Sequence, residues 1–263
     1  MINLRCLSRI EIDDITTIVN EKYNPSKSTL ASIKLRILDR YAKYIDLESN
    51  GRINPVAFSL DEKNALLSLY GSKTKTAKII VDEVLGMVNP NHSDSCLYCG
   101  IGEIDQIDHY LPQEHFPEYS ILHKNLIPIC GTCNEIKGSN IPGQSGKDYM
   151  HLIYDIVPLE SLFNCTISFN NALPSISFSI LPNFAGSIME THFIELKLKE
   201  RIEKKAIQYS LQIKALKEQF GAEYAKEELT RDLNKVSAFF GSYFWKTELI
   251  SSMISCNFVD SIN

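Results

Sequence analysis

Cysteine recurs in this chain as two pairs of the same spacing, Cys96 and Cys99 in "CLYC" and Cys130 and Cys133 in "CGTC". A Cys-x2-Cys segment places two thiolates on one tight knuckle. Two such knuckles complete a tetrahedral shell of four sulfurs, the donor set that suits zinc. Four protein ligands leave no open coordination position, so the expected zinc is structural. The separation between Cys99 and Cys130 exceeds that of a simple zinc ribbon, so something is inserted between the knuckles. A thioredoxin-like redox pair is a competing reading, but it uses one Cys-x2-Cys and leaves the second unexplained. Four unrelated buried cysteines are the remaining alternative. The other three, Cys6, Cys165 and Cys256, are scattered and read as small buried hydrophobes or bystanders.

The remaining composition narrows the setting. Seven thiols in 263 residues are an odd set and do not suggest a disulfide framework. No run of 18 apolar residues predicts a transmembrane helix. "MINLRCLSRIEIDD" lacks the apolar core of a secretory signal, so the cytoplasm is expected. Net charge is −5, unevenly spread: residues 91–150 hold 3 Lys+Arg against 8 Asp+Glu, whereas residues 1–90 hold 13 against 11. No polybasic tail advertises nucleic-acid binding.

Periodicity gives the organisation. Leu30, Ile33, Ile37, Tyr41 and Tyr44 form an amphipathic helical stripe. Ser59 and Glu62 fit a capping box, with Gly71 as the stop, and "TAKIIVDEVLGMV" reads as a further helix. Residues 91–150 concentrate Cys, Gly, Pro, His and Asn, the composition of a loop-rich site. Alternation at Ile167/Phe169 and Ile176/Phe178/Ile180 around "NNALP" predicts a hairpin. Helices return from about Thr191, with Gly221 separating two of them. The expected organisation is a helical region over 1–90, a site-bearing module over 91–150, and a hairpin with helices over 151–263.

The insert between the knuckles holds reactive groups. Asp108 and His109 are adjacent, so on a strand they point to opposite faces. One can bind a metal while the other meets a water. Asn125 follows sixteen residues after His109, and Asn134 lies directly behind Cys133, at the expected start of a helix near "CNEIKG". Together "CLYC", "IDHYLP", "NLIPICGTCN" and "IKG" resemble the HNH endonucleases, the ββα-metal or His-Me finger superfamily. The resemblance covers roughly residues 93–140. Within it, "DHYLP", "FPEYS" and "NLIPICGTCN" look like HNH nucleases of bacterial anti-phage systems, including Septu-like ones.

The resemblance implies an α+β chain in which a ββα-metal module with a Zn(Cys)4 site lies between mostly α-helical regions. It implies that Asp108 ligates a catalytic metal and that His109 is the general base. It implies that Asn125 holds the loop and orients His109. Asn134 replaces the final His of the HNH motif and becomes the second metal ligand. This departure favours Mg2+ or Mn2+, because a carboxamide oxygen is a harder ligand than imidazole. The implied substrate is DNA, with a controlling protein partner, an ATPase or sensor, or a second copy of the chain, and antiviral defence as the setting. A zinc-stabilised nucleic-acid-binding module or regulatory subunit without catalysis is the alternative.

Several residues rank lower. His115 and His123 lie in the loop between motif residues, and His151 follows the module and could approach the metal. Lys137, one helical turn past Asn134, reads as a phosphate contact or a solvated charge. Arg36/Arg40/Lys43, Lys73/Lys75/Lys78 and Lys197/Arg201/Lys204/Lys205 are three basic clusters. Each reads more simply as a solvated face, yet together they are the visible candidates for a phosphate-tracking surface. Trp245 reads as core or partner surface.

Overall fold

Helix α1 (Glu11–Glu21) opens the chain and packs on α2 (Ser26–Lys43), whose apolar stripe is the predicted one. Leu30, Ile33 and Ile37 are buried, and Tyr44 continues the stripe into a short 3-10 turn. Helix α3 (Leu60–Gly71) begins at the expected capping box. The Ser59 N–H donates to Glu62 Oε2 at 2.7 Å, and the Glu62 N–H donates to Ser59 Oγ at 3.3 Å. Helix α4 (Lys75–Gly86) is capped by Thr74, whose side chain accepts from the Ala77 N–H. The computed structural model describes residues 6–47, 52–71, 74–88, 94–141, 148–158, 160–170 and 173–262. Lys73, one of the clustered lysines, lies outside the described residues.

Strand β1 (Gln106–His109) pairs antiparallel with β2 (Leu126–Ile129), setting Asp108 opposite Ile127 and His109 opposite Leu126. Helix α5 (Gly131–Lys137) follows at once and starts earlier than the sequence suggests. The reason is local. Asp105 Oδ1 accepts from the Gly131 N–H at 2.7 Å, where a carboxylate favours a helix N-terminus. Asn134 therefore sits inside the helix rather than at its start. Gly138 ends α5 at φ +55°, a conformation that favours glycine.

The chain divides into two units, one comprising Ile2–Leu97 with Glu103–Ile156 and the other Tyr98–Gly102 with Val157–Asn263. In the first, a single core joins the helices to the hairpin: Ile18, Leu30, Leu66 and Ile80 lie in the same apolar cluster as Ile121 and Leu126. The N-terminal helices are thus part of what shapes β1 and β2. In the second, β3 (Phe163–Asn170) and β4 (Leu173–Ile180) form the predicted hairpin, with Ile167 opposite Ile176. Helices α6 (Ile188–Glu195), α7 (Leu198–Phe220), α8 (Ala222–Phe240), α9 (Trp245–Ser255) and α10 (Phe258–Ser261) complete it. Gly221 separates α7 from α8 at φ +90°. The architecture among the described residues is helix-dominant α+β with two small antiparallel sheets. Among the described residues no helix is long and apolar enough to cross a membrane.

Candidate metal centre and candidate active-site cleft

The two knuckles meet. The thiol sulfurs of Cys96, Cys99, Cys130 and Cys133 all lie within 4.8 Å of one another, and all four residues are buried. Cys96 Sγ and Cys133 Sγ are 3.8 Å apart. A tetrahedron of sulfurs around zinc, with bonds of about 2.3 Å, has edges of about 3.8 Å. A disulfide would need about 2.05 Å. The Cys130 N–H donates to Cys96 Sγ at 3.2 Å, as suits a thiolate held by backbone donors. An all-sulfur, buried, four-donor set fits a structural metal such as zinc. Neither a lone redox pair nor four unrelated thiols would converge in this way.

Within the second unit, to which Tyr98–Gly102 belongs, the peptide around Cys99 is held on both sides by aromatic N–H donors. His192 Nε2, on α6, lies 3.1 Å from the Tyr98 carbonyl, and Trp245 Nε1, on α9, donates to the Gly100 carbonyl at 2.9 Å. His192 is buried, and its burial holds the imidazole pKa down at about 3. A neutral ring facing a carbonyl carries its proton on Nε2. Trp245, expected only as core or partner surface, has a specific acceptor for its indole N–H.

Asp108, His109 and Asn134 line one cleft of about 430 Å³, together with Tyr70, Pro112 and Gln113. His109 is 8 % exposed, and burial lowers its pKa, so the ring is neutral near pH 7. His109 Nε2 lies 2.8 Å from the Ser120 carbonyl. A carbonyl only accepts, so Nε2 carries the proton and Nδ1 keeps its lone pair. The Tyr70 ring meets the imidazole edge to face, with centroids 4.8 Å apart. Asn134 donates from Nδ2 to Gln106 Oε1 at 2.6 Å, leaving its own carbonyl oxygen as the group suited to a hard cation.

Asp108 is 5 % exposed and faces Lys137, which is 0 % exposed. Lys137 Nζ lies 3.1 Å from Asp108 Oδ1 and 2.9 Å from Oδ2, and it donates to the His109 carbonyl at 2.8 Å. Both expectations for Lys137, a phosphate contact and a solvated charge, are corrected. Its stem runs inward because β1 packs on that face of α5, and the ammonium ends on the kind of partner that permits such burial.

Asn125 is fully buried and lies behind the cleft. Its Oδ1 accepts from the Leu111 N–H at 2.8 Å and from the Tyr44 hydroxyl at 2.9 Å. Its Nδ2 donates to the carbonyls of Leu111 at 3.1 Å and Tyr119 at 3.2 Å. All four bonding positions of the carboxamide are used. These bonds pin Leu111, two residues past His109, and Tyr119, next to the acceptor Ser120, so Asn125 ties the start of the loop to its middle and its end.

Among the described residues, His115, His123 and His151 stay out of the cleft. His115 is exposed, and His123 is buried with Nε2 3.9 Å from Cys6 Sγ. His151 is 0 % exposed and meets the Tyr44 hydroxyl at 3.1 Å, so it supports the loop from inside the core. The expectation that His151 could approach a metal in the cleft is corrected by this burial. The first basic cluster also changes character. Arg40 is buried and ion-paired to Glu118 at 2.7 Å, Arg36 lies 4.0 Å over the Phe58 ring, and Lys43 pairs with Asp39. Lys75 and Lys78 on α4 remain exposed. The apolar stripe marks Tyr44 as buried but not as a partner of Asn125, and nothing in the sequence marks Tyr70 and Ser120 for the positions they take here: these come from tertiary packing that no short motif encodes.

No family model matches this chain, and no solved structure matches it. A stretch of 63 residues is 40% identical to Protein ea31 of Escherichia phage lambda. It covers 24% of this chain and 20% of that protein, so the chain matches about a fifth of the relative's length.

Proposed function

We propose that this chain is a metal-dependent endonuclease of the HNH, or ββα-metal, class that hydrolyses DNA phosphodiester bonds. The observation that carries the proposal is the cleft. A neutral imidazole, a carboxylate and a carboxamide meet there, on an antiparallel strand pair and the helix that follows it.

In this reading His109 is the general base. Its Nδ1 lone pair takes a proton from a water whose oxygen attacks phosphorus. One P–O bond of the phosphodiester breaks as the new P–O bond forms, and the leaving oxygen takes a proton from solvent. Ser120 keeps the ring in the Nε2–H tautomer, so the other nitrogen is the one free to accept. Asp108 and the Asn134 carboxamide oxygen would hold Mg2+ or Mn2+, which supplies neutralisation of charge on the scissile phosphate when bound. Lys137 holds Asp108 from the protein side. Asn125 keeps the loop closed behind His109. The cysteine cluster, with zinc, fixes the turn into α5 and so the position of Asn134. Control by a partner subunit or a second copy, and a role in anti-phage defence, rest on the sequence resemblance alone.

A second reading has its own support. The Lys137 ammonium already neutralises Asp108, which a zinc-stabilised binding or regulatory subunit without catalysis would tolerate. Nicking of supercoiled plasmid in the presence of Mg2+ or Mn2+ separates the two: the nuclease relaxes the plasmid and the binding module leaves it intact.

A further inference from the structure

Helix α3 lies outside the cysteine-bounded segment, yet it reaches His109 by two independent routes. Tyr70, in its last turn, packs edge to face against the imidazole at 4.8 Å. Leu66, one turn earlier, offers its carbonyl to the Ser120 hydroxyl, which donates at 2.8 Å. The backbone carbonyl of that same Ser120 is the acceptor 2.8 Å from His109 Nε2. Ser120 and Leu66 are both fully buried, so water does not compete for this bond. One helix therefore sets both the plane of the ring and the atom that fixes its tautomer.

We infer that α3 is the positioning element for His109, with Tyr70 and Ser120 as positioning residues of the hydrolysis. This rests on the proposed nuclease reading for its kinetic consequence, but not for its structural one. An imidazole with one hydrogen bond can still rotate about that bond. Tyr70 blocks the rotation from the side, and the Ser120–Leu66 link prevents the acceptor from following the ring. Holding a base within a fraction of an ångström of its productive geometry matters, since a misplacement of about 1 Å can cost about a hundredfold in rate.

The test uses the full chain with its metals and three variants: Tyr70→Leu, Tyr70→Phe and Ser120→Ala. Plasmid nicking gives kcat and KM, and long-range proton–nitrogen correlation spectra of the histidine rings give the tautomer directly. Tyr70→Leu and Ser120→Ala should each lower kcat about tenfold or more with KM within about twofold. Tyr70→Phe should rescue most of that loss. In the spectra, His109 should be a single Nε2–H tautomer in the parent and a mixture in Tyr70→Leu and Ser120→Ala. Zinc content and the melting temperature identify a variant that has merely unfolded, and Ser120→Ala, the smaller change, then decides. Parent-like kcat and parent-like ring spectra in both variants overturn the inference, as does a Tyr70→Phe variant as impaired as Tyr70→Leu. If the parent nicks nothing, the nuclease reading fails, and the ring spectra alone judge the positioning of His109.

Discussion

Lys137 and Asp108 form a buried ion pair, with Nζ 2.9 Å from Oδ2 and the same ammonium bonded to the His109 carbonyl at 2.8 Å. The pair links α5 to β1 at the point where the three cleft residues converge. It also gives a carboxylate 5 % exposed the oppositely charged partner that such burial calls for. Breaking such a pair by removing one partner leaves an uncompensated buried charge. Lys137→Met should therefore destabilise the protein by about 3–5 kcal/mol. Asp108→Asn combined with Lys137→Met should recover part of that loss. Urea denaturation of the two single variants and the double variant measures the effect. Strictly additive losses would mean the pair is not an energetic unit.

The cysteine cluster leads to a prediction about zinc. Protein prepared in metal-free buffers should retain one zinc per chain by elemental analysis. Cys99→Ser or Cys130→Ser should give insoluble or protease-sensitive protein, since structural zinc contributes on the order of 10 kcal/mol in small modules. Trp245, bonded to the carbonyl next to Cys99, should report metal removal by strong chelators as a fluorescence change. A soluble, zinc-free and protease-resistant Cys99→Ser protein would dismiss the site.

His192 makes stability depend on pH with a definite sign. Its folded pKa of about 3 lies below the ordinary histidine value of about 6.5. Below pH 6.5 the unfolded chain binds a proton that the folded chain does not, so acid favours unfolding. The contribution is intact above about pH 6.5 and declines by about 1.4 kcal/mol per pH unit toward pH 3. Between pH 7 and pH 5 the parent should lose about 2 kcal/mol more than His192→Gln. Denaturation at the two pH values gives the difference, and parallel losses in the two proteins would contradict it.

Electrostatics predicts weak DNA binding by the lone chain. The segment 91–150 is acidic, and Arg40, a candidate phosphate ligand by sequence, is committed to Glu118. Arg36 and Lys43 are exposed but engaged with Glu62 and Asp39, whereas Lys75 and Lys78 on α4 are exposed members of the described candidate clusters. Each phosphate that is no longer neutralised should reduce the slope of log K against log[salt] by about 0.9 for duplex DNA. On the proposed nuclease reading, Lys75→Glu with Lys78→Glu should flatten the slope for duplex DNA without altering zinc content. Tight binding by the isolated chain at physiological salt would show a basic groove elsewhere.

Much of this arrangement is legible in the sequence because it is local. The knuckle spacing brings four cysteines together, and alternation at Ile167 and Ile176 locates a hairpin. The capping pair Ser59 and Glu62 marks the start of α3. The remainder depends on packing between distant segments. Nothing near Tyr44 shows that its hydroxyl reaches Asn125, 81 residues away. Lys137 and Arg40 read as surface charges because helical spacing reports a face of a helix, not what packs on it. Their partners Asp108 and Glu118 become visible only once β1 and the loop fold against α5 and α2.

The most direct measurement is the rate of plasmid nicking by the parent, His109→Ala, Asp108→Ala and Asn134→Ala across Mg2+ and Mn2+ concentrations. The His109→Ala protein should keep its zinc and melting temperature yet cut about 10²–10⁴-fold more slowly at every metal concentration. Asp108→Ala and Asn134→Ala should recover in part as Mn2+ is raised. A His109→Ala protein that cuts as fast as the parent under every metal condition would contradict the assignment of His109 as the base, and the proposed mechanism with it.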